Sequence, residues 1–276
     1  MMCALLCFSV LDASFKYLVA EYPLPVLVWA RYTTHTLFML AIFAPRMGSQ
    51  LLRTGRLRMQ ITRGLILVAV TALNSLAFRM MPLAEVTALV FLSPVFVTLL
   101  AGPLLGERVR AAKWVACALG FAGVLCIARP GGSIVPLGVL ICLVSALFLA
   151  AYQIITRMLG PGETAVTTLF YTALTGSLVS LPAVPLVWDG QLPDPRHAML
   201  IASLGLWGGI GHFLFTRAYM LAPASSLAPL AYVQLVWATL LGWLVFDHLP
   251  DRWSVVGGIV IACGGLLAAL SARSHD

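Results

Sequence analysis

Charge is scarce in this sequence. Only 10% of its 276 residues are Asp, Glu, Lys or Arg, and lysine occurs twice, at Lys16 and Lys113. A soluble chain carries about a quarter charged residues. With 61% apolar residues, the chain has more hydrocarbon than a soluble interior of this size can hide. A bilayer is the solvent that remains. Signature motifs are missing too. No GxxxxGK[ST] occurs, which excludes an ATP-driven pump of the P-loop kind. There is no HExxH, no GxSxG and no pair of intramembrane aspartates on separate spans, so nothing points to a membrane-embedded enzyme. The six cysteines (Cys3, Cys7, Cys117, Cys126, Cys142, Cys263) are scattered, with no CxxC, and read as small apolar filler. Asp247, His248 and Asp251 alone resemble a metal cluster, but they sit in a turn where charge is expected. Neither a metal nor a cofactor is expected. A secretory signal is not expected either, because no basic leader precedes the first apolar run and Asp12 and Lys16 interrupt it.

What is present is length in the apolar runs. Ten stretches could each cross about 30 Å of hydrocarbon as a helix. They cover 1–20, 24–44, 63–81, 84–105, 111–128, 134–157, 164–188, 196–220, 225–246 and 252–272. Proline and glycine mark the breaks, among them Pro23, Pro45 with Gly48, Pro82, Pro161, Pro195, Pro223 and Pro250. The connections leave no room for a soluble domain.

The net charge of +7 does not point to nucleic acid, because of where it lies. Arg46, Arg53, Arg56, Arg58 and Arg63 crowd the loop between the second and third stretches. Arg108, Arg110 and Lys113 follow the fourth, Arg157 ends the sixth and Arg273 follows the tenth. All fall on one side of a ten-span chain, and the opposite loops are poorer in Lys and Arg. The bias predicts both termini in the cytoplasm of a bacterial inner membrane. The basic loop is also suited to anionic lipid heads.

An internal repeat organises the chain. A shift of 140–141 residues lays Asp12 on Gln153, Lys16 on Arg157, Pro45 on Pro185, Ala77 on Ala218 and Pro82 on Pro223. It also lays Gly102 on Gly242, Glu107 on Asp247 and Gly123 on Gly264. Five spans fall in each half, and five is odd, so the second half enters from the opposite side. The expectation is an all-α membrane protein of ten helices in two inverted five-helix repeats, 1–130 and 131–276. Such an architecture suits a secondary transporter with a central site.

The segment PLAEVTALVFLSPVFVTLLAGPLLGERVRAAKWVACALGFAGVLCIARPG (82–131) resembles the EamA family of the drug/metabolite transporter superfamily. The resemblance rests on Pro94 in the fourth span, the LLGER turn (104–108) and a glycine-bearing fifth span ending in ARPG. The second half follows the pattern more loosely, with Phe246-Asp247-His248 in place of Gly-Glu-Arg. DASFKYL (12–18) and WARY (29–32) resemble the branch of S-adenosylmethionine and general metabolite carriers. The resemblance implies alternating access and a small organic metabolite, amino-acid-like or S-adenosylmethionine-like. A channel or lipid scramblase is the alternative, and a membrane enzyme a more distant one. The expected partners are a small-molecule substrate and the bilayer, with a homodimer left open and nucleic acid excluded.

Charges within spans mark the candidate site, since each would cost about 2.5–3.5 kcal/mol facing lipid at mid-bilayer. Asp12 and Lys16 share a helix face, as do Arg31 and His35. Two readings stand side by side. In one, Asp12 bridges Lys16 or Arg31 and ties the first two spans together, with Lys16 reaching outward. In the other, Asp12 and Arg31 line the path and offer a charge of each sign. The remaining candidate lining residues are Asn74, Tyr152, Gln153, His212, Tyr232, Gln234 and Trp237. Asp12, His35 and His212 could titrate if protons drive transport. Arg79 and Arg217 are expected at headgroups, and Glu85 at a helix N-terminus. The GxxxG spacings at Gly102–Gly106 and Gly205–Gly209 are expected to be close-packing faces.

Overall fold

A computed structural model describes residues 1–93, 95–97, 100, 111–128, 135–159, 162–221 and 233–273. All regular structure among them is helical, as hydrocarbon requires of a chain that must satisfy every backbone N–H and C=O internally. The helices of eight or more residues are α1 (Met2–Leu18), α2 (Leu24–Met47), α3 (Leu57–Met80), α4 (Leu83–Val90), α5 (Ala111–Ala128), α6 (Pro136–Leu159), α7 (Ala165–Ser180), α8 (Pro195–Leu221), α9 (Val233–Phe246) and α10 (Arg252–Arg273). Among the described residues, five stretches are long and apolar enough to cross a membrane: Leu24–Leu52, Leu57–Met80, Pro136–Leu159, Ala165–Val187 and Pro195–Phe215. Shorter apolar helical stretches include Ala118–Ile127, Val233–Phe246 and Arg252–Gly264.

The boundaries depart from the expected ones in three places. Helix α3 begins at Leu57, not at 63, so Arg63 lies inside a helix and not in a loop. Pro45, read as a break, sits within the last turn of α2, and the stop is Gly48 at φ 52°, a left-handed conformation that glycine adopts without strain. The seventh stretch is not one helix. It passes at Leu181 into a short 3-10 turn and then a single turn, Val184–Val187, around Pro182 and Pro185.

The surface is apolar and the interior is partly polar, the reverse of a soluble fold. Leu37, Phe121, Leu140, Val236 and Ile259 are all more than half exposed, whereas Gln60, Arg63, Ser75, Ser145 and Thr167 are buried. A water-soluble monomer does not show so broad an apolar exterior.

Helices pack mostly on distant parts of the chain. α3 lies against α6 and α7, and α8 against α1 and α2; α1 and α4 both pack on α9, α4 on α6, α2 on α7, and α5 on α10. Two of these contacts depend on glycine. A Cβ on Gly205 of α8 would lie 2.1 Å from Thr34 Oγ1 and 2.4 Å from the His35 backbone N of α2. Gly123 of α5 and Gly257 of α10 face each other, each with the other's carbonyl oxygen within 2.7 Å of where its Cβ would stand. The expected close-packing role of 205–209 is thus met on α2. Gly102–Gly106, Pro94, Glu107 and Pro229 lie outside the described residues.

Residues at each end of the bundle are drawn together. At one end Thr54 and Gly55 meet Glu163, Arg56 Nη1 donates to Met158 O at 2.5 Å, and Tyr171 OH donates to Leu52 O. At the other, Tyr22 OH lies 2.9 Å from His197 Nδ1. There Asp194 caps α8, its Oδ1 accepting from the backbone N–H of Arg196 (2.8 Å) and His197 (3.2 Å). The His197 amide in particular holds the Asp194 carboxyl below the usual carboxylate range. A depressed carboxyl contributes its stability above the ordinary aspartate pKa and loses it as pH falls through the folded value, so this cap is fully formed at neutral pH.

Gly205→Ala should lower thermal stability in detergent by about 1–3 kcal/mol, the usual cost of overpacking. Gly55→Ala, whose Cβ meets nothing within 4 Å, should leave the melting temperature unchanged.

Candidate functional site

Asp12 lies near the C-terminal half of α1, and its Oδ2 accepts a hydrogen bond from Gln234 Nε2 of α9 at 3.3 Å. It forms no ion pair with Lys16 or Arg31 among the described residues, which corrects the bridging reading. Lys16 is occupied elsewhere: its Nζ donates to Phe78 O and Met81 O at 2.8 Å each, the carbonyl end of α3. Arg79 of α3 returns the favour, Nε donating to Val19 O (2.9 Å) and Nη2 to Tyr22 O (3.2 Å) just past the end of α1. Two parallel helices each supply a cation to the other's C-terminus, where unsatisfied carbonyls and the helix dipole favour positive charge. Arg79, though exposed, thus serves a helix end.

Arg31 of α2 donates through Nη1 to Thr71 Oγ1 of α3 at 2.8 Å. The Thr71 hydroxyl proton goes to Leu67 O (2.9 Å), so Tyr32 OH, 2.8 Å away, is the donor to the same oxygen. The guanidinium stands 5.8 Å and 5.2 Å from the ring centres of Phe15 and Tyr32, within cation–π range. Gly208 of α8 opens room beside it.

The basic cluster places Arg63 in a loop, yet it is the largest completely buried side chain among the described residues, at 1% exposure. Its Nε donates to Thr156 Oγ1 at 2.6 Å, Nη1 to Thr168 O at 3.4 Å and to Thr172 Oγ1, and Nη2 to Tyr152 OH. Its guanidinium also lies over the Tyr152 ring, 4.2 Å from the centre. The Thr156 and Thr172 hydroxyls spend their protons on the carbonyls of Tyr152 and Thr168, which turns their lone pairs toward Arg63. No carboxylate joins the set among the described residues. The Tyr152 ring packs edge-on to His212, 6.4 Å away, and His212 packs on Phe8 at 4.8 Å.

These helices belong to a recognisable whole. A family model described as the EamA-like transporter family matches residues 1–129 and 136–270. The chain belongs to the EamA-like transporter family. It is 31% identical over 281 residues to a Helicobacter pylori protein named as an uncharacterized transporter, covering 97% of this chain and 92% of that one. It is 30% identical to the pseudopaline exporter CntI of Pseudomonas aeruginosa, covering 93% and 90%, and 26% identical to an S-adenosylmethionine uptake transporter of Rickettsia prowazekii, covering 92% and 85%. One crystal structure superposes with a TM-score of 0.68 at 22% identity over 98% of this chain and 97% of its own, which shows a shared fold. Family and fold together make this a multi-pass membrane protein of a transporter family.

In this EamA-family chain the predicted site residues divide. Asp12 and Gln234 meet, Tyr152 and His212 meet, and Arg31 joins the second and third helices through Thr71. Asn74 stands apart, its Oδ1 accepting from Ser145 Oγ of α6 at 2.5 Å. Gln153 is half-buried beside Tyr152. Trp237 has a buried indole N–H with no acceptor among the described residues. Tyr232 lies outside the described residues. Among the described residues, one cavity of about 300 Å³ is lined by Lys16, Arg79, Met81, Gly242, Phe246 and His248, and another of about 370 Å³ by Arg53, Thr54, Gly55, Glu163 and Thr164. None of the eight predicted residues that are described lines either. Glu85 lies in the first turn of α4, the helix N-terminus expected for it, and there it is buried and accepts from Ser254 Oγ of α10 at 3.1 Å. Arg63 was missed because the basic cluster around it read as one loop. A signal was available: Gln60, Arg63, Thr71, Asn74 and Ser75 recur at spacings of three, four or eight, one polar stripe on α3.

Lys16→Met should lower the melting temperature in detergent, because two charge-assisted bonds to carbonyls are worth about 1.5–3 kcal/mol each. Adding Asp12→Asn should not restore it, and the two effects should sum to within about 0.5 kcal/mol.

Proposed function

We propose that the protein is a secondary transporter that moves a small organic metabolite, amino-acid-like or S-adenosylmethionine-like, across a bacterial inner membrane by alternating access. The observation that carries the reading is the pattern of helix pairing. Exchange of α1 with α6, α2 with α7, α3 with α8, α4 with α9 and α5 with α10 turns the contact of α3 with α6 into that of α8 with α1. It turns α3 on α7 into α8 on α2, and α1 on α9 into α6 on α4. It leaves α2 on α7, α4 on α9 and α5 on α10 as they are. Such closure supports ten spans in two inverted repeats, 1–130 and 131–276, that rock about a shared interface. The two stretches matched by the family model, 1–129 and 136–270, divide the chain at nearly the same place. The names of the relatives, an uptake transporter and an exporter, support small-molecule transport in either direction.

On this reading the end carrying Arg53, Arg56 and Glu163 is cytoplasmic, as are both termini. Asp12 and Gln234, Arg31, and the Tyr152–His212 pair form the polar band at the interface, with Asn74, Gln153 and Trp237 beside it. Asp12, which Lys16 leaves to Gln234, faces the cationic part of the cargo. The unspent indole N–H of Trp237 suits an organic cargo that can stack and accept a hydrogen bond.

Proteoliposomes preloaded with S-adenosylmethionine or with amino acids should show saturable uptake and counterflow; linear, non-saturating flux would replace the carrier with a pore. Cysteine labelling should find 46–62 and 189–196 on opposite faces of the membrane, and a result on the same face would remove the inverted repeat. Trp237→Ala should raise the half-saturation concentration at normal membrane yield, whereas unchanged kinetics would return Trp237 to packing.

A further inference from the structure

Arg63 poses a problem of charge balance. An arginine at membrane depth is costly, and removal of one partner from a buried ion pair ordinarily costs several kcal/mol because the other charge is left bare. Arg63 is buried among the described residues on neutral oxygens alone: two threonine hydroxyls, one tyrosine hydroxyl and one backbone carbonyl. Those four bonds use four of its five N–H donors. The arrangement solvates the cation but leaves its charge uncompensated.

The direction of these bonds matters as much as their kind. Arg31 is held by Thr71 and stacks on Phe15 and Tyr32, all within α1 to α3. Every hydrogen bond of Arg63 instead crosses to α6 or α7. If the two repeats part at the Arg53–Glu163 end, Arg31 keeps its partners and Arg63 loses all of its own. A guanidinium exposed in a wet cleft between low-dielectric walls is then a preorganised fork for a planar anion, and the two oxygens of a carboxylate match it bidentately. A single guanidinium balances one negative charge, so a monocarboxylate fits better than a phosphate dianion. Thr71, which holds Arg31, lies eight residues along α3 from Arg63, about 12 Å at the helical rise, so the two guanidinium groups are held at different depths of the same helix.

We propose that Arg63 is the binding site for a carboxylate group of the transported molecule, which takes the place of the Thr156, Thr172 and Tyr152 oxygens when the Arg53–Glu163 end opens. The proposal rests on the alternating-access reading and adds the substrate class: a monocarboxylate, with any cationic group placed toward Asp12. The closed structure holds Arg63 with its own hydroxyls, and the carboxylate supplies the compensating charge that the open form lacks.

The test uses the purified full chain and matched probes: each of the twenty protein amino acids beside its amide, and S-adenosylmethionine beside its decarboxylated form. At least one carboxylate should stabilise the wild type against heat at a concentration ten or more times lower than its partner does. Arg63→Gln should abolish that preference, and Arg63→Lys should keep part of it. Because Arg63→Gln could fail to fold, a second measurement uses the native arginine. In a background with the six cysteines replaced, Thr172→Cys should react faster with a polar thiol reagent when the preferred carboxylate is present, and not when its amide is. The proposal is overturned if no carboxylate is preferred across the panel, if Arg63→Gln keeps the preference, or if the carboxylate leaves Thr172→Cys labelling unchanged. Counterflow separates this from the broader reading: counterflow without carboxylate preference removes only the role of Arg63, and no counterflow with any probe removes the carrier itself.

Discussion

Hydrocarbon offers no hydrogen bonds, and the rest of this molecule follows from that. Each polar group in a spanning segment must find a partner inside the bundle. The threonines and serines of the interior therefore bond to the carbonyl one turn back or to a side chain across an interface, as Thr36, Thr71, Ser75, Thr87, Thr156 and Thr172 do. Their lone pairs remain available, and these form the soft lining on which Arg31 and Arg63 rest. A soluble protein would have sent both arginines to the surface.

The polar bonds fall into two sets with different mechanical meaning. Lys16 and Arg79 fasten α1 to α3, and Arg31 with Tyr32 fastens α2 to α3 through Thr71. These lie within the first proposed repeat and make it stiff. Asp12 with Gln234, Asn74 with Ser145, Thr33 with Ser177, Gln60 with Glu163 and Arg63 with its four oxygens join the two repeats. None of those is an ion pair among the described residues, though Asp12, Glu163 and Arg63 each bring a charge, so they break without parting opposite charges. A rocking carrier needs that division of labour.

Much of this was legible in the sequence. The apolar stretches marked a multi-pass membrane protein, and the LLGER and ARPG features pointed to the family. The close-packed face of α8 was legible from Gly205 and Gly209. What could not be read was which partner each charge takes. Asp12 and Lys16 sit one turn apart and look like a pair, but a lysine can reach the bare carbonyls of a neighbouring helix end, and sequence spacing does not register a helix terminus 62 residues away. Arg63 was obscured for a related reason. Helix α3 starts a turn and a half earlier than its apolar run, and the basic cluster before it drew the boundary too late. Arginine density marks the side of a membrane well and the start of a helix poorly.

The crossed attachment of α1 and α3 has a consequence for how the chain is made. Lys16 leaves the ribosome some 60 residues before the carbonyls of Phe78 and Met81 that will hold it. At ordinary translation rates of 5–20 residues per second that interval is roughly 3–13 s. During it, α1 carries an ammonium near its C-terminal end without the α3 carbonyls that will hold it, and α2 brings Arg31 before Thr71 exists. The first helix is therefore a poor resident of lipid on its own, and must wait in the insertion machinery or at the interface until α3 arrives. Release of the first three helices as a set is built into the order of the residues.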